Sequence, residues 1–225
     1  VLAVAAPYLG LRDPLDQNLA DVTKAPGHVG EGAVRYLLGT DSLGRDVFSR
    51  LVHGIRPLAT IVVLAVSLAA SFGFLYGLLA GFSRGLWGHV AMRSCDIQLS
   101  IPPVVLAVVF AVAFEPGIRS VVLAVALVTW PQYARVIRSE VLRLRTAEFV
   151  LLARAAGLSG PQILRRHIVP NVLNAFIVLV TREMSTVVLF ASARACSGVG
   201  VQEPRPYWGN MLASGTAYMQ RAWCL

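Results

Sequence analysis

Pro57 to Ser83 contains no charged side chain. A helix crossing a bilayer core of about 30 Å needs roughly 20 apolar residues, and this run is longer, so a membrane span is expected. Inside lipid every backbone donor and acceptor must be satisfied within the segment, which makes a helix its expected form. Gly73, Gly77 and Gly81 recur at four-residue steps. Such small-residue spacing lets a second helix approach backbone to backbone, so this face is expected to be a packing surface. Composition agrees with the reading: 56% hydrophobic and 14% charged lies outside the usual range of soluble domains on both counts.

Further spans follow from the same criterion. Ile97 to Phe114 is expected to cross, entered through Asp96 and broken near its start by Pro102-Pro103. Ser120 to Ala134 follows the turn Glu115-Pro116-Gly117, with Trp130-Pro131 near its inner end, the indole as a belt or packing residue and the proline as a kink supported by neighbours. Asn171 to Ala193 should return across, although Arg182-Glu183 lies in its middle and Arg194 near its end. Ions at that depth cost roughly 2.5 to 3.5 kcal/mol each, so these must face protein or water or pair. Adjacent helical residues diverge by about 100°, which makes pairing of Arg182 with Glu183 awkward. Val1 to Gly10 is too short to cross and is expected to be the end of a first span, so the chain is expected to be a fragment or shortened product at both ends.

Charge sets the orientation. Lys+Arg number 20 against 12 Asp+Glu, an excess that would suit nucleic acid or the positive-inside rule equally; its distribution decides. Between Arg12 and Arg56 six acids balance six bases, as befits an exported loop. Arg135, Arg138, Arg143, Arg145, Arg154, Arg165 and Arg166 face only Glu140 and Glu148, a net of plus five. Residues 135–169 are therefore expected on the cytoplasmic side of a multi-pass protein of the plasma (inner) membrane.

Within that basic segment, Glu148 to Asn171 forms a distinct unit. Phe149, Leu152, Ala153 and Ala156 recur at i, i+3, i+4, i+7, giving a short helix one apolar face, with Arg154 pointing elsewhere. Gly157 supplies a C-terminal stop. Ser159 with Gln162 three residues on is a capping-box pattern, with Pro161 in the first turn, so a second helix should start there and run to Pro170. The product is a compact basic knob between spans. A DNA-reading helix pair is disfavoured because such helices seldom sit between membrane spans.

The order Glu148-Phe149-Val150, Ala153-Arg154-Ala155-Ala156-Gly157, then Ile163-Leu164-Arg165-Arg166-His167-Ile168-Val169-Pro170-Asn171 resembles the EAA loop of ABC importer permeases. It is most similar to the second permease subunit of dipeptide, oligopeptide and nickel importers. Two more stretches carry the likeness: Gly39-Thr40-Asp41-Ser42-Leu43-Gly44-Arg45-Asp46, whose acids are expected to be local acceptors capping a helix, and Gly198 to Leu212, expected to be a structural outer loop. Asp96, separated by five residues from Pro102-Pro103, also fits the family arrangement.

The resemblance implies an all-α polytopic bundle of the type I importer permease fold. Residues 1–56 would be the end of a first span plus an extracytoplasmic loop, and 57–225 the transmembrane domain with a coupling loop at 148–171. It implies as partners a second permease subunit, ABC ATPase subunits, an extracytoplasmic solute-binding protein and membrane lipid, with no nucleic acid. The ATPase-coupling residues would be Glu148, Ala153, Arg154, Ala155, Gly157, Arg166, His167, Pro170 and Asn171, and Asp96, Arg182 and Glu183 candidates for the translocation path. The family's acidic residue falls on Leu151 and is missing here, and an acid usual in the family is replaced by Ala191.

Catalytic chemistry is not expected. The only lysine, Lys24, precedes Ala25, so no phosphate-cradling Gly-Lys-Ser/Thr loop exists, and no cofactor is expected on this chain; ATP and Mg would sit on the partner ATPases. His28, His53, His89 and His167 show no ligand spacing, and Cys95, Cys196 and Cys224 suggest free thiols rather than a disulfide or zinc site. Two alternatives stand beside a permease for peptides or related solutes: a standalone secondary transporter or channel using Asp96, Arg182 and Glu183 as an ion relay, and an inactive shortened subunit.

Overall fold

The computed structural model describes residues 10–30, 33, 35–83, 85–113, 117–196 and 204–218. These are helical with connecting loops, and no named strand occurs among them. The helices are α1 (Val47–Phe82), α2 (Leu86–Ser100), α3 (Pro103–Ala113), α4 (Ile118–Arg145), α5 (Glu148–Ala155), α6 (Gly160–Ile163), α7 (Val169–Cys196) and α8 (Trp208–Tyr218), with a π-helical turn at Leu164–Ile168 joining α6 to α7. Three stretches are long and apolar enough to cross a membrane: Val47–Phe82, Ile118–Arg145 and the continuous Gly160–Leu189.

The boundaries differ from the sequence expectations in instructive ways. α1 begins at Val47, ten residues before Pro57, because Asp46 accepts from the Phe48 backbone N–H at 3.2 Å and caps the first turn. The span expected from Ile97 to Phe114 is two helices separated at Ile101 and Pro102, since the residue before a proline is pushed out of the helical region. α4 runs on past Ala134 to Arg145 and through Pro131. Trp208 to Leu212, expected in the outer loop, instead opens the helix Trp208–Tyr218. The resemblance at 198–203, the turn residues Glu115 and Pro116, and residues 1–9 lie outside the described residues.

The chain divides into two compact units. One comprises residues 1–63, 108–122 and 188–225. Its organising group is Asp41, whose Oδ1 accepts from the backbone N–H groups of Leu43 (2.9 Å) and Arg45 (3.0 Å), while Oδ2 meets Arg45 Nε at 2.7 Å and Arg50 Nε at 3.6 Å. Arg45 and Arg50 are buried, so this carboxylate compensates charges that would otherwise be costly to bury. Trp208 closes the unit by donating Nε1 to the Leu51 carbonyl at 2.8 Å, above Gly54, where a Cβ would collide with the indole. The acids of the Gly-Thr-Asp motif thus act as structural acceptors, as the sequence suggested.

The other unit comprises residues 64–107 and 123–187. Here the glycine face of α1 lies directly on α4: a Cβ at Gly73 would strike the Trp130 carbonyl and Tyr133, at Gly77 the Ala134 backbone, and at Gly81 Val141. Only small residues permit that approach. α2 folds back along α1, with Ala80, Ala91, Met92, Cys95 and Ala134 packed together. Cys95 is a buried free thiol.

Candidate functional site

The knob is held by a single apolar cluster. Leu78 from α1, Ile137, Val141 and Leu144 from α4, Val150 and Ala153 from α5, Ile163 from α6, Ile168, and Val172 from α7 are buried against one another. Burying a side chain of this kind is worth about 1.5–3 kcal/mol. The cluster therefore locks α5 and α6 to the ends of three spanning helices, α1, α4 and α7, and the knob moves only if those ends move.

The turn between α5 and α6 is a paired backbone motif. Leu158 N–H donates to the Ala153 carbonyl (3.1 Å) and Gly157 N–H to that of Arg154 (3.0 Å), the two bonds of a Schellman ending. Gly157 sits at φ +83°, and a Cβ there would meet nothing within 4 Å. Its glycine is required by backbone conformation and not by crowding. Ser159 then starts the next helix: its N–H donates to Gln162 Oε1 at 2.9 Å and its hydroxyl reaches the same oxygen at 3.0 Å. Both expected signals of the fold-back are present.

Two expectations about the knob are overturned. The buried face of α5 is Val150 and Ala153, whereas Phe149, Leu152 and Ala156 are exposed, Leu152 at 70%. An eight-residue helix resting on one cluster can turn only one narrow strip inward, and the Val150–Ala153 strip joins the cluster that also holds Ile163 and Val141. The second consequence concerns Pro170, which does not end the second helix. Its missing N–H cannot bond Arg166, and the chain passes this point by widening into the π turn, where Val169 N–H donates to Leu164. Asn171 Nδ2 donates to the His167 carbonyl at 2.7 Å. Pro170 and Asn171 thus carry the helix from knob into span.

The exposed surface of the knob combines Phe149, Leu151 and Leu152 with Glu148, Arg154, Ala155, Arg165 and Arg166. The His167 ring stands 6.4 Å from that of Phe149. Arg145, in the sequence only one of seven arginines of the basic segment, clamps the end of α1: its Nη1 donates to the carbonyls of Gly81 (2.8 Å) and Ser83 (3.4 Å). A basic residue near unsatisfied helix C-terminal carbonyls is the signal that could have found it.

The three path candidates are not brought together. Asp96 pairs with Arg135 at 2.6 Å, both partners about half exposed. Arg182 Nη2 meets Glu183 Oε1 at 2.7 Å and its Nε reaches the same oxygen at 3.2 Å. The expected awkwardness of that pair is therefore wrong: the long arginine side chain folds back over the angular gap between neighbours. Glu183 is 1% exposed and Arg182 72%. No ion pair among the described residues links Asp96 to Arg182 or Glu183, so a connected relay has no support. No group of three potential metal ligands occurs among the described residues either.

Apolar spanning helices joined by a basic elbow define an integral membrane subunit. The fold agrees with that class: a solved structure of the MetNI methionine ABC transporter, in inward-facing conformations, superposes with a TM-score of 0.64 over 77% of this chain and 82% of that one, at 20% identity. Residues 73–222 match the family described as the inner membrane component of binding-protein-dependent transport systems, and the chain belongs to that family. It is 38% identical to the di/tripeptide transport system permease protein DppC of Pseudomonas aeruginosa, over 98% of this chain and 73% of that protein. It is 37% identical to the glutathione transport system permease protein GsiD of Escherichia coli, over 83% of this chain and 62% of that protein. The chain is thus a membrane-embedded transport subunit.

Proposed function

We propose that this subunit forms half of a peptide-conducting path and takes its driving force at the Glu148–Asn171 elbow from a separate ATPase, on which ATP and Mg are bound. One observation carries the reading: Phe149, Leu151 and Leu152 stand exposed on an elbow whose opposite face is locked into α1, α4 and α7. A rigid body with an apolar docking face can pass a push to the helices that hold it. The elbow lies on the cytoplasmic side by its excess of arginine. A second permease subunit completes the path, and an extracytoplasmic binding protein delivers the solute.

Di- and tripeptides are the proposed cargo, on the strength of the relatives' names. Arg182 faces the path or the second permease rather than lipid, because an arginine at mid-membrane in hydrocarbon is costly. The test is co-purification with the ATPase and peptide uptake in vesicles. Uptake that requires ATP inside the vesicle, together with a disulfide from Leu152→Cys to the ATPase, is the expected result. Uptake driven by an ion gradient without ATPase overturns it, and an assembled complex without uptake identifies an inactive scaffold.

A further inference from the structure

A cavity of about 500 Å³ lies between the end of α1, the end of α4 and the elbow, lined by Phe82, Ser83, Arg145, Arg154, Leu158 and Ile163 together with Gly160. Its lining holds two guanidinium groups and no carboxylate. Arg154 makes no ion pair or side-chain hydrogen bond among the described residues. Arg145 is fixed in place by the Gly81 and Ser83 carbonyls, so it cannot swing away from the second cation. Two guanidinium groups thus line one cavity, and arginine forks match phosphate oxygens.

The opposite wall is apolar, made by Phe82, Leu158 and Ile163. Phe82 is the last residue of spanning helix α1, which puts the cavity where hydrocarbon gives way to headgroups. We propose that this cavity binds the phosphate of an anionic phospholipid, the headgroup between Arg145 and Arg154 and the start of the acyl region against Phe82, Leu158 and Ile163. Bound there, the lipid braces the elbow against the end of α1. Free inorganic phosphate offers the same oxygens, but would leave the apolar wall uncovered.

The assignment of headgroup level rests on the membrane reading above, while its test is separable from it. The assembled complex, purified in detergent, is titrated with phosphatidylglycerol or phosphatidylcholine, and retained lipid is counted by native mass spectrometry. Phosphatidylglycerol is expected to be retained in preference, and Arg154→Gln to weaken its retention about tenfold, the scale of losing a charge-assisted contact. Leu158→Trp, which fills the cavity while leaving both charges, is expected to do the same. Arg165→Gln, an exposed charge outside the cavity, is expected to leave retention unchanged. Equal retention of both lipids, or full retention in Arg154→Gln and Leu158→Trp, overturns the proposal. Displacement of the lipid by millimolar inorganic phosphate, lost in Arg154→Gln, keeps the phosphate site and assigns it to the soluble anion. The Leu152→Cys disulfide to the ATPase is read in the same preparations: if it forms while lipid selectivity is absent, the lipid site alone has failed.

Discussion

Gln98 donates its side-chain amide to the backbone carbonyl of Leu127. That carbonyl is the one Pro131 leaves without a helical donor, since proline has no N–H and Leu127 lies four residues before it. A residue of α2 thus repairs the proline gap in α4, in a region where water is scarce and unsatisfied carbonyls are expensive. Gln98→Leu is expected to lower stability by about 1 kcal/mol, the usual net value of one hydrogen bond. Pro131→Ala restores the missing N–H, so in that background the cost of Gln98→Leu should shrink. Thermal unfolding of the four variants in nanodiscs measures the coupling, and strict additivity would show that the Gln98 amide is not the carbonyl's partner.

That pairing illustrates where the sequence was legible and where it was not. Three of the four expected spans, the glycine face at Gly73, Gly77 and Gly81, the Gly157 stop and the Ser159 cap follow from local patterns, because local backbone chemistry decides them; the fourth, Ile97 to Phe114, is broken at Pro102. Gln98 with Leu127, Arg145 with Gly81 and the exposure of Leu152 depend on which helices meet and at what rotation. A stretch of sequence carries no direct record of that. The α5 case is the plainest: Phe149-Leu152-Ala153-Ala156 and Val150-Ala153 are both acceptable helical strips, and only the position of Ile163 and Val141 selects the second. Pro170 was misread for the related reason that a π turn can absorb a proline at a helix junction.

At Gly157 the φ of +83° and the open space around its α-carbon separate strain from clash. Gly157→Ala should destabilise the elbow by about 1 kcal/mol through the left-handed conformation alone. Gly157→Asn should cost less, because asparagine visits that region more readily. A large side chain should then behave as alanine does in folding while obstructing docking. ATPase activity and peptide uptake measured together check this: uptake should fall relative to hydrolysis for Gly157→Trp beyond the Gly157→Ala value. Equal coupling in both variants would remove Gly157 from the docking surface.

Asp46 caps α1, and burial raises its pKa above the ordinary aspartate value, although its bonds from Phe48 and Ser49 N–H and the charge of Arg12 pull the other way. A folded-state pKa above the unfolded one means the ionised form is the less favoured partner of the fold. The associated stability is present in acid, below the unfolded value, and is lost as pH rises through the folded one. Asp46→Asn keeps an acceptor for the Phe48 N–H without the charge, so it should match or exceed the native protein in melting temperature at pH 7. The advantage should disappear near pH 3.5. Asp46→Ala loses the cap and should be less stable at both, by about 1 kcal/mol. A melting temperature for Asp46→Asn that falls at pH 7 would show that the carboxylate charge is needed.

Arg182 and Glu183 share a charge pair but not an environment: Glu183 is 1% exposed and Arg182 72%, and Glu183 Oε2 is buried with no hydrogen-bond partner. Removing one member should therefore have unequal effects. Arg182→Leu leaves a buried carboxylate without its cation and should cost about 3 kcal/mol. Glu183→Leu leaves an arginine that can turn toward water or the neighbouring subunit, and should cost less. The double change, which removes both charges, should recover most of the loss caused by Arg182→Leu, and unfolding in nanodiscs reads all three. Uptake then separates structure from transport: with the double variant folded, a persistent loss of peptide uptake places Arg182 on the solute path, and native uptake confines the pair to holding α7 in place.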